Sequence, residues 1–157
     1  MDSENISLRL ARPADAGPIA LMSRELIEAG LGWSWTPARV LSNLRCRDTV
    51  TVVADDHQRM IGFAIMYFGL EDAHLNLLAV HPTHRRCGIG RRLLAWLEKS
   101  ARVAGIATIA LEVRAYNNGA RCFYRTLGFQ DIAWLPDYYC GREPAIRMLR
   151  ELRPTVA

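Results

Sequence analysis

Along this chain the spacing of apolar positions switches repeatedly between every second residue and every third or fourth. Ser7-Leu8-Arg9-Leu10-Ala11 alternates and reads as a first strand. From Asp15 to Ala29 the residues Ile19, Leu21, Met22, Leu26 and Ile27 fall along one side of a helix, with Gly30 and Gly32 expected to end it. Thr36-Pro37 has the form of an N-cap followed by proline in the first helical position, so a second helix should run to about Leu44. Thr49–Ala54 is rich in β-branched residues and reads as a strand. The polar turn Asp55-Asp56-His57-Gln58 should lead into a partner strand from Met60 to Phe68, giving a hairpin. Ala73–Val80 is a further strand, followed by a loop from His81 to Cys87 and a helix from about Gly88 to Ala104. A strand at Thr108–Val113, a helix at Asn117–Leu127 and strands at Phe129–Trp134 and Ala145–Leu149 complete the order β-α-α-β-β-β-α-β-α-β-β. The pattern predicts an α/β chain of the α+β type. It should have about seven strands in a mixed, mostly antiparallel sheet, about four helices, and at least one helical crossover.

A length of 157 residues fits one domain over the whole chain, 1–157, large enough to bury a core without staples. No apolar run approaches a membrane-spanning length. The polar, acidic start Met1-Asp2-Ser3-Glu4-Asn5 lacks the layout of a signal peptide, so the cytoplasm is the expected compartment. Cys46, Cys87, Cys122 and Cys140 form no C-x-x-C pair and are read as reduced thiols rather than a zinc cage. Formal charge is +4, and Lys99 is the one lysine. Arginine therefore carries nearly all the basic charge, and arginine suits bidentate contacts to phosphate.

The basic residues are densest where the chain carries Leu77-Leu78-Ala79-Val80-His81-Pro82-Thr83-His84-Arg85-Arg86-Cys87-Gly88-Ile89-Gly90-Arg91-Arg92-Leu93-Leu94. A buried strand runs into a basic, glycine-punctuated turn that opens an amphipathic helix whose apolar stripe is Ile89, Leu93, Leu94 and Leu97. A helix start offers unpaired N–H groups and partial positive charge, and Gly88 and Gly90 let a phosphate approach the backbone. Arg85, Arg86, Arg91 and Arg92 add charge. Neither nucleotide signature fits: Gly90 is not followed by Lys-Ser/Thr, and Leu93 stands where a Rossmann turn needs its third glycine. His81 and His84 have metal-ligand spacing but no further ligands in the sequence around them, so no metal is expected.

Arg85-x-x-Gly88-x-Gly90 resembles the pyrophosphate-binding signature of the GNAT acetyltransferase superfamily. The run Leu111-Glu112-Val113-Arg114, Asn117, Ala120, Tyr124 and Leu127-Gly128-Phe129 is similar to the bacterial ribosomal-protein-alanine N-acetyltransferase branch. The likeness is close from Leu77 to Phe129 and loose in the first seventy residues. It implies a sheet splayed at the cofactor site and acetyl-coenzyme A bound there. Backbone groups of the Leu78-Ala79-Val80 strand would pair with the pantetheine arm. The turn Arg85, Arg86, Cys87, Gly88, Ile89, Gly90 with Arg91 would hold the pyrophosphate, and Asn117 would bond to the pantetheine side. Glu112 and Tyr124 match the residues assigned as general base and general acid, with Tyr124 beside the thioester sulfur. The chain departs from the branch at Leu77, where an asparagine is expected, and at Glu143-Pro144-Ala145. Both places are where the branch meets its peptide.

The chemistry is coherent independently of the likeness. At pH 7 an α-amine is roughly 10% neutral, so a carboxylate that removes its proton helps it attack. The departing thiolate needs a proton that a tyrosine can give. Each residue also has a plainer reading: Glu112 as a solvent-facing strand residue, Tyr124 as an amphipathic core tyrosine, Cys87 and Cys122 as small packing residues. Trp33 and Trp35, and Tyr138 and Tyr139, are candidates to line the acceptor site. For the tryptophans a hydrophobic plug over the core is an equal alternative. The expected acceptor is a small-molecule amine or a protein N-terminus. A non-catalytic acyl-coenzyme A sensor is the second reading, and a nucleic-acid binder the third, disfavoured because the arginines cluster at one helix start. The resemblance also carries a homodimer as an expectation.

Overall fold

The computed structural model describes residues 5–57 and 59–152. The first four residues of the acidic start and Gln58 of the polar turn lie outside the described residues. The elements are β1 (Ile6–Leu10), α1 (Ala16–Leu26), α2 (Pro37–Leu44), β2 (Thr49–Asp56), β3 (Arg59–Phe68), β4 (Asp72–Val80), α3 (Ile89–Val103), β5 (Thr108–Arg114), α4 (Asn118–Thr126), β6 (Gln130–Tyr139) and β7 (Glu143–Glu151), with short 3-10 turns at Pro13–Asp15 and Pro82–His84. The strands form one seven-stranded sheet in the order β1-β2-β3-β4-β5-β7-β6. Pairing is antiparallel for β1/β2, β2/β3, β5/β7 and β6/β7, and parallel for β4/β5. The expected mixed α/β architecture is therefore what the chain adopts.

The chain divides into two compact units, residues 1–67 with 75–100, and residues 68–74 with 101–157. In the first unit Ile19, Ala20, Val40, Val53, Phe63 and Ile65 are fully buried, with Trp35, Leu77 and Ala79 in the same core. Ile89, Leu93, Leu94 and Leu97 of α3 are also buried, the stripe read from their spacing. Gly62 of β3 lets this helix close in. A Cβ there would stand 3.1 Å from the Ala79 carbonyl oxygen and 3.4 Å from Leu93 Cδ1. In the second unit Ile109, Leu111, Phe129, Ala145 and Met148 make the core.

Two boundaries lie three or more residues from the expectation. Helix α1 stops at Leu26, before Gly30: the Ile27 N–H still makes the helical bond to the Ser23 carbonyl at 2.9 Å, but the Glu28 N–H takes that same carbonyl at 2.8 Å, one residue beyond the helical spacing. Strand β6 runs through Pro136 to Tyr139, beyond the expected Trp134. It lies at the edge of the sheet, where a proline removes no ladder donor that is needed, and its register shifts between Leu135 and Tyr139.

Candidate active site

The basic turn begins as β4 ends. The His81 N–H donates to the Ile61 carbonyl at 2.7 Å, which fixes where the chain leaves the sheet. His84 is buried. Its Nε2 lies 2.9 Å from Asp56 Oδ2, and Thr83 Oγ1 lies 2.8 Å from both His84 Nδ1 and His81 Nδ1. The two histidines thus anchor the turn to the β2–β3 hairpin, and Asp56 is a partner the local sequence did not reveal. The chain then passes through Arg86 at φ 63° and Gly88 at φ 77°, and α3 begins with the Arg92 N–H donating to the Gly88 carbonyl at 3.0 Å. A Cβ on Gly88 would meet nothing within 4 Å, so the space over this turn is open. The first-turn N–H groups of a helix have no partner within it. Arg85, Arg86 and Arg91 are exposed. Arg92, expected to join them, instead donates to the Ile6 carbonyl at 3.2 Å and ties α3 to β1. The Cys87 thiol is within 3.6 Å of the Arg85 carbonyl.

In the second unit, the partners of Glu112 come from three other strands. Its side chain is 10% exposed, well short of the solvent-facing alternative. Glu112 Oε2 lies 2.7 Å from His74 Nε2 of β4, while Oε1 accepts from Tyr138 Oη of β6 at 3.2 Å and meets Arg147 Nη2 of β7 at 3.4 Å. Burial pulls this carboxyl upward, but the His74 bond and charge, with Tyr138 and Arg147, outweigh it and hold it below the usual carboxylate range. Glu112 is therefore ionised at neutral pH. Its β5 register pairs it with Arg147 directly. Sequence reasoning missed both His74 and Arg147; period-two alternation would have put each on one sheet face but not beside Glu112.

Tyr124 is the buried residue of α4, with Phe123 and Phe129 rings edge-on at 5.1 and 5.6 Å. Burial raises its hydroxyl well above the usual tyrosine value, and Tyr139 adds to the effect, so Tyr124 keeps its proton throughout the neutral range. Asn117 caps α4, its Oδ1 accepting from the Ala120 N–H at 3.1 Å. Cys122 is exposed on α4, not packed as expected, because this short helix turns Tyr124 inward and Cys122 outward. Tyr138 and Tyr139 stack edge-on at 4.9 Å.

The loop between α1 and α2 is organised by Glu28, which sequence reasoning also missed. Its buried carboxylate accepts from Ser23 Oγ at 3.0 Å, from Ser34 N–H at 2.8 Å and from Ser34 Oγ, with the Trp35 N–H at 3.2 Å. Burial pulls the Glu28 carboxyl up, yet the donors from Ser34, Ser23 and Trp35 hold it below the usual range. Trp35 is packed in the core with the Arg39 guanidinium 3.9 Å over its ring, so it behaves as the plug. Trp33 is 37% exposed, its Nε1–H donating to the Ala20 carbonyl at 3.1 Å. Among the described residues no helix is long and apolar enough to cross a membrane.

The strand order, the basic helix start and the enclosed carboxylate define a class that comparison makes explicit. The Acetyltransferase (GNAT) family pattern matches residues 21–129, and the chain belongs to that family. Over 93 residues it is 42% identical to the ribosomal protein bS18-alanine N-acetyltransferase of Escherichia coli, which is 57% of this chain and 63% of that enzyme's length. The crystal structure of the Escherichia coli enzyme of that name superposes with a TM-score of 0.83 and 28% identity, covering 96% of both chains. Among structures showing the same fold is yncA of Salmonella typhimurium, solved with its cofactor acetyl-CoA, at a TM-score of 0.81 and 22% identity, covering 98% of each chain.

Proposed function

We propose that this chain, working as one domain in the cytoplasm, is an acetyl-coenzyme A-dependent N-acetyltransferase that acts on a primary amine with both substrates bound together. The observation that carries the reading is Glu112: in the motif position that the family resemblance gives the general base, its carboxylate is 10% exposed and held by His74 and Tyr138. The residues present fit the coenzyme. The open turn at Gly88, the start of α3, whose first-turn N–H groups have no partner within the helix, and the exposed Arg85, Arg86 and Arg91 suit a pyrophosphate. Leu78, Ala79 and Val80 of β4 suit an extended amide-bearing arm, and Asn117, which caps α4, is by the family resemblance the side chain that would bond to that arm.

When bound, acetyl-coenzyme A supplies an acetyl group activated as a thioester. Glu112 takes the proton the amine must lose, directly or through water, as its nitrogen bonds to the acetyl carbon. Tyr124, which holds its proton at neutral pH, gives it to the sulfur as the carbon–sulfur bond breaks. The protein N-terminal α-amine is the favoured acceptor, by likeness to the Escherichia coli enzyme named for a ribosomal alanine.

The test is coenzyme A release from acetyl-coenzyme A against peptides, amino acids, polyamines and aminoglycosides, with Tyr124→Phe alongside. Turnover of a peptide N-terminus, slowed in Tyr124→Phe, supports the reading and the acid role. Turnover of small amines alone keeps the activity and removes the N-terminal preference. Coenzyme binding without transfer to any amine replaces the reading with the sensor.

A further inference from the structure

Arg147 has no role in the reading so far, and its setting is unusual for an arginine. Strand β7 is an interior strand, between β5 and β6, and Arg147 stands between Glu112 on one side and Ala133 on the other. Its side chain is 40% exposed. Among the described residues its guanidinium makes one hydrogen bond, Nη2 to Glu112 Oε1, at the long distance of 3.4 Å. Glu112 has closer partners in His74 at 2.7 Å and Tyr138 at 3.2 Å, and His74 affects its ionisation more than Arg147 does. Glu112 therefore has two partners closer to it than Arg147.

Two other carboxylates of this unit are engaged elsewhere. Glu143 pairs with Arg114 at 3.1 Å, and Asp131 takes Arg125 at 2.7 Å and Arg121 at 3.2 Å. A guanidinium carries five N–H donors in a planar fork that matches a carboxylate. Among the described residues, then, the base meets one imidazole, one phenol hydroxyl and one guanidinium whose single hydrogen bond is the long one to Glu112. A guanidinium beside the base offers a carboxylate near the reacting amine a charged, bidentate partner.

We propose that Arg147 is the carboxylate-binding residue of the acceptor site, so that the protein selects primary amines bearing a carboxylate within a few bonds of the reacting nitrogen. Arg147 forks onto the carboxylate while Glu112 receives the amine's proton. The inference rests on the transferase reading above. Two sources share this chemistry: a free amino acid, through its own α-carboxylate, and a polypeptide whose first residue is Asp or Glu.

The experiment compares kcat/KM for three peptides identical except for a first residue of Glu, Gln or Lys, together with free glutamate, in the wild type, Arg147→Gln and Arg147→Glu. A charge-assisted pair predicts a wild-type preference for Glu over Gln of about tenfold or more. The Glu:Gln ratio should fall to near one in Arg147→Gln, and Arg147→Glu should favour Lys. Arg147-dependent turnover of free glutamate identifies the amino acid as the source, and turnover of the Glu peptide alone identifies the polypeptide; either supports the proposal. A flat wild-type ratio, a ratio unmoved by Arg147→Gln, or an equal loss on all three peptides overturns it while leaving the transferase reading intact. No transfer by the wild type to these acceptors or to the wider amine panel overturns both.

Discussion

At the scale of single residues, Glu112 shows how neighbours far away in sequence set the chemistry of a motif residue. Its carboxyl lies below its ordinary value because the His74 bond and charge, aided by Tyr138 and Arg147, exceed the opposing effect of burial. The stabilisation this gives is present above the unfolded value of 4.5 and is lost as pH falls through the lower folded value. In His74→Gln the largest favourable partner is gone and burial remains, so the Glu112 carboxyl should rise. Titrating its side-chain carbon by NMR, with Glu112→Gln for assignment, reads this directly; an unchanged or lower value would contradict the account. Glu112→Gln itself should lower kcat by about 10²–10⁴-fold, the usual worth of a general base, in the coenzyme-release assay. Glu112 and Tyr124 stood out as candidates because the motif that carries them runs through β5 and α4. His74 and Arg147 lie 38 and 35 residues away and reach Glu112 only through sheet pairing, which no local pattern encodes.

At the scale of elements, the order of strands and helices was legible throughout, since each has a clear apolar period, and α3 kept the stripe its spacing implied. What the periodicity could not show was where α1 ends. The apolar pattern continues to Ile27, but Glu28 folds inward to bind Ser23, Ser34 and the Trp35 backbone, and the helix yields to that network. Glu28→Gln keeps the shape but turns an amide donor toward donors, so it should cost about 1–3 kcal/mol in urea unfolding at neutral pH. Because the folded Glu28 carboxyl lies below 4.5, that deficit should shrink as pH falls from neutral through its folded value. A deficit that grew on acidification would sink the idea. At the start of α3, Gly88→Ala has open space for its methyl but places an L-residue at φ 77°. The expected loss is therefore conformational, about 1–2 kcal/mol, with no crowding component. Thermal unfolding of Gly88→Ala beside Gly88→Asn separates the two, because asparagine tolerates this conformation better than alanine although it is larger. A larger loss for asparagine would point to crowding.

At the scale of the whole molecule, the groups suited to an anion and those suited to proton transfer belong to different compact units. The turn from Arg85 to Arg91 is in the first, and Glu112, Tyr124, His74 and Arg147 are in the second. If each unit keeps its own job, binding of coenzyme A and turnover should be separable by mutation. A ligand that binds only the folded chain stabilises it by about 2.7 kcal/mol at one hundred times its Kd. Coenzyme A at that excess should raise the stability of wild type and Glu112→Gln alike, although Glu112→Gln transfers acetyl groups poorly. Arg85→Gln with Arg91→Gln should lose much of the gain at the same concentration. Such a double variant removes two charge-assisted phosphate contacts, each about 1.5–3 kcal/mol, so its Kd for coenzyme A should rise at least tenfold. Its kcat at saturating acetyl-coenzyme A should fall far less than that of Glu112→Gln. Calorimetric titration with coenzyme A and steady-state kinetics on the same preparations make the comparison. If Glu112→Gln weakened coenzyme binding as much as the double arginine variant did, the division of labour would be wrong, and Glu112 would belong to the binding of the coenzyme rather than to the proton transfer proposed for it.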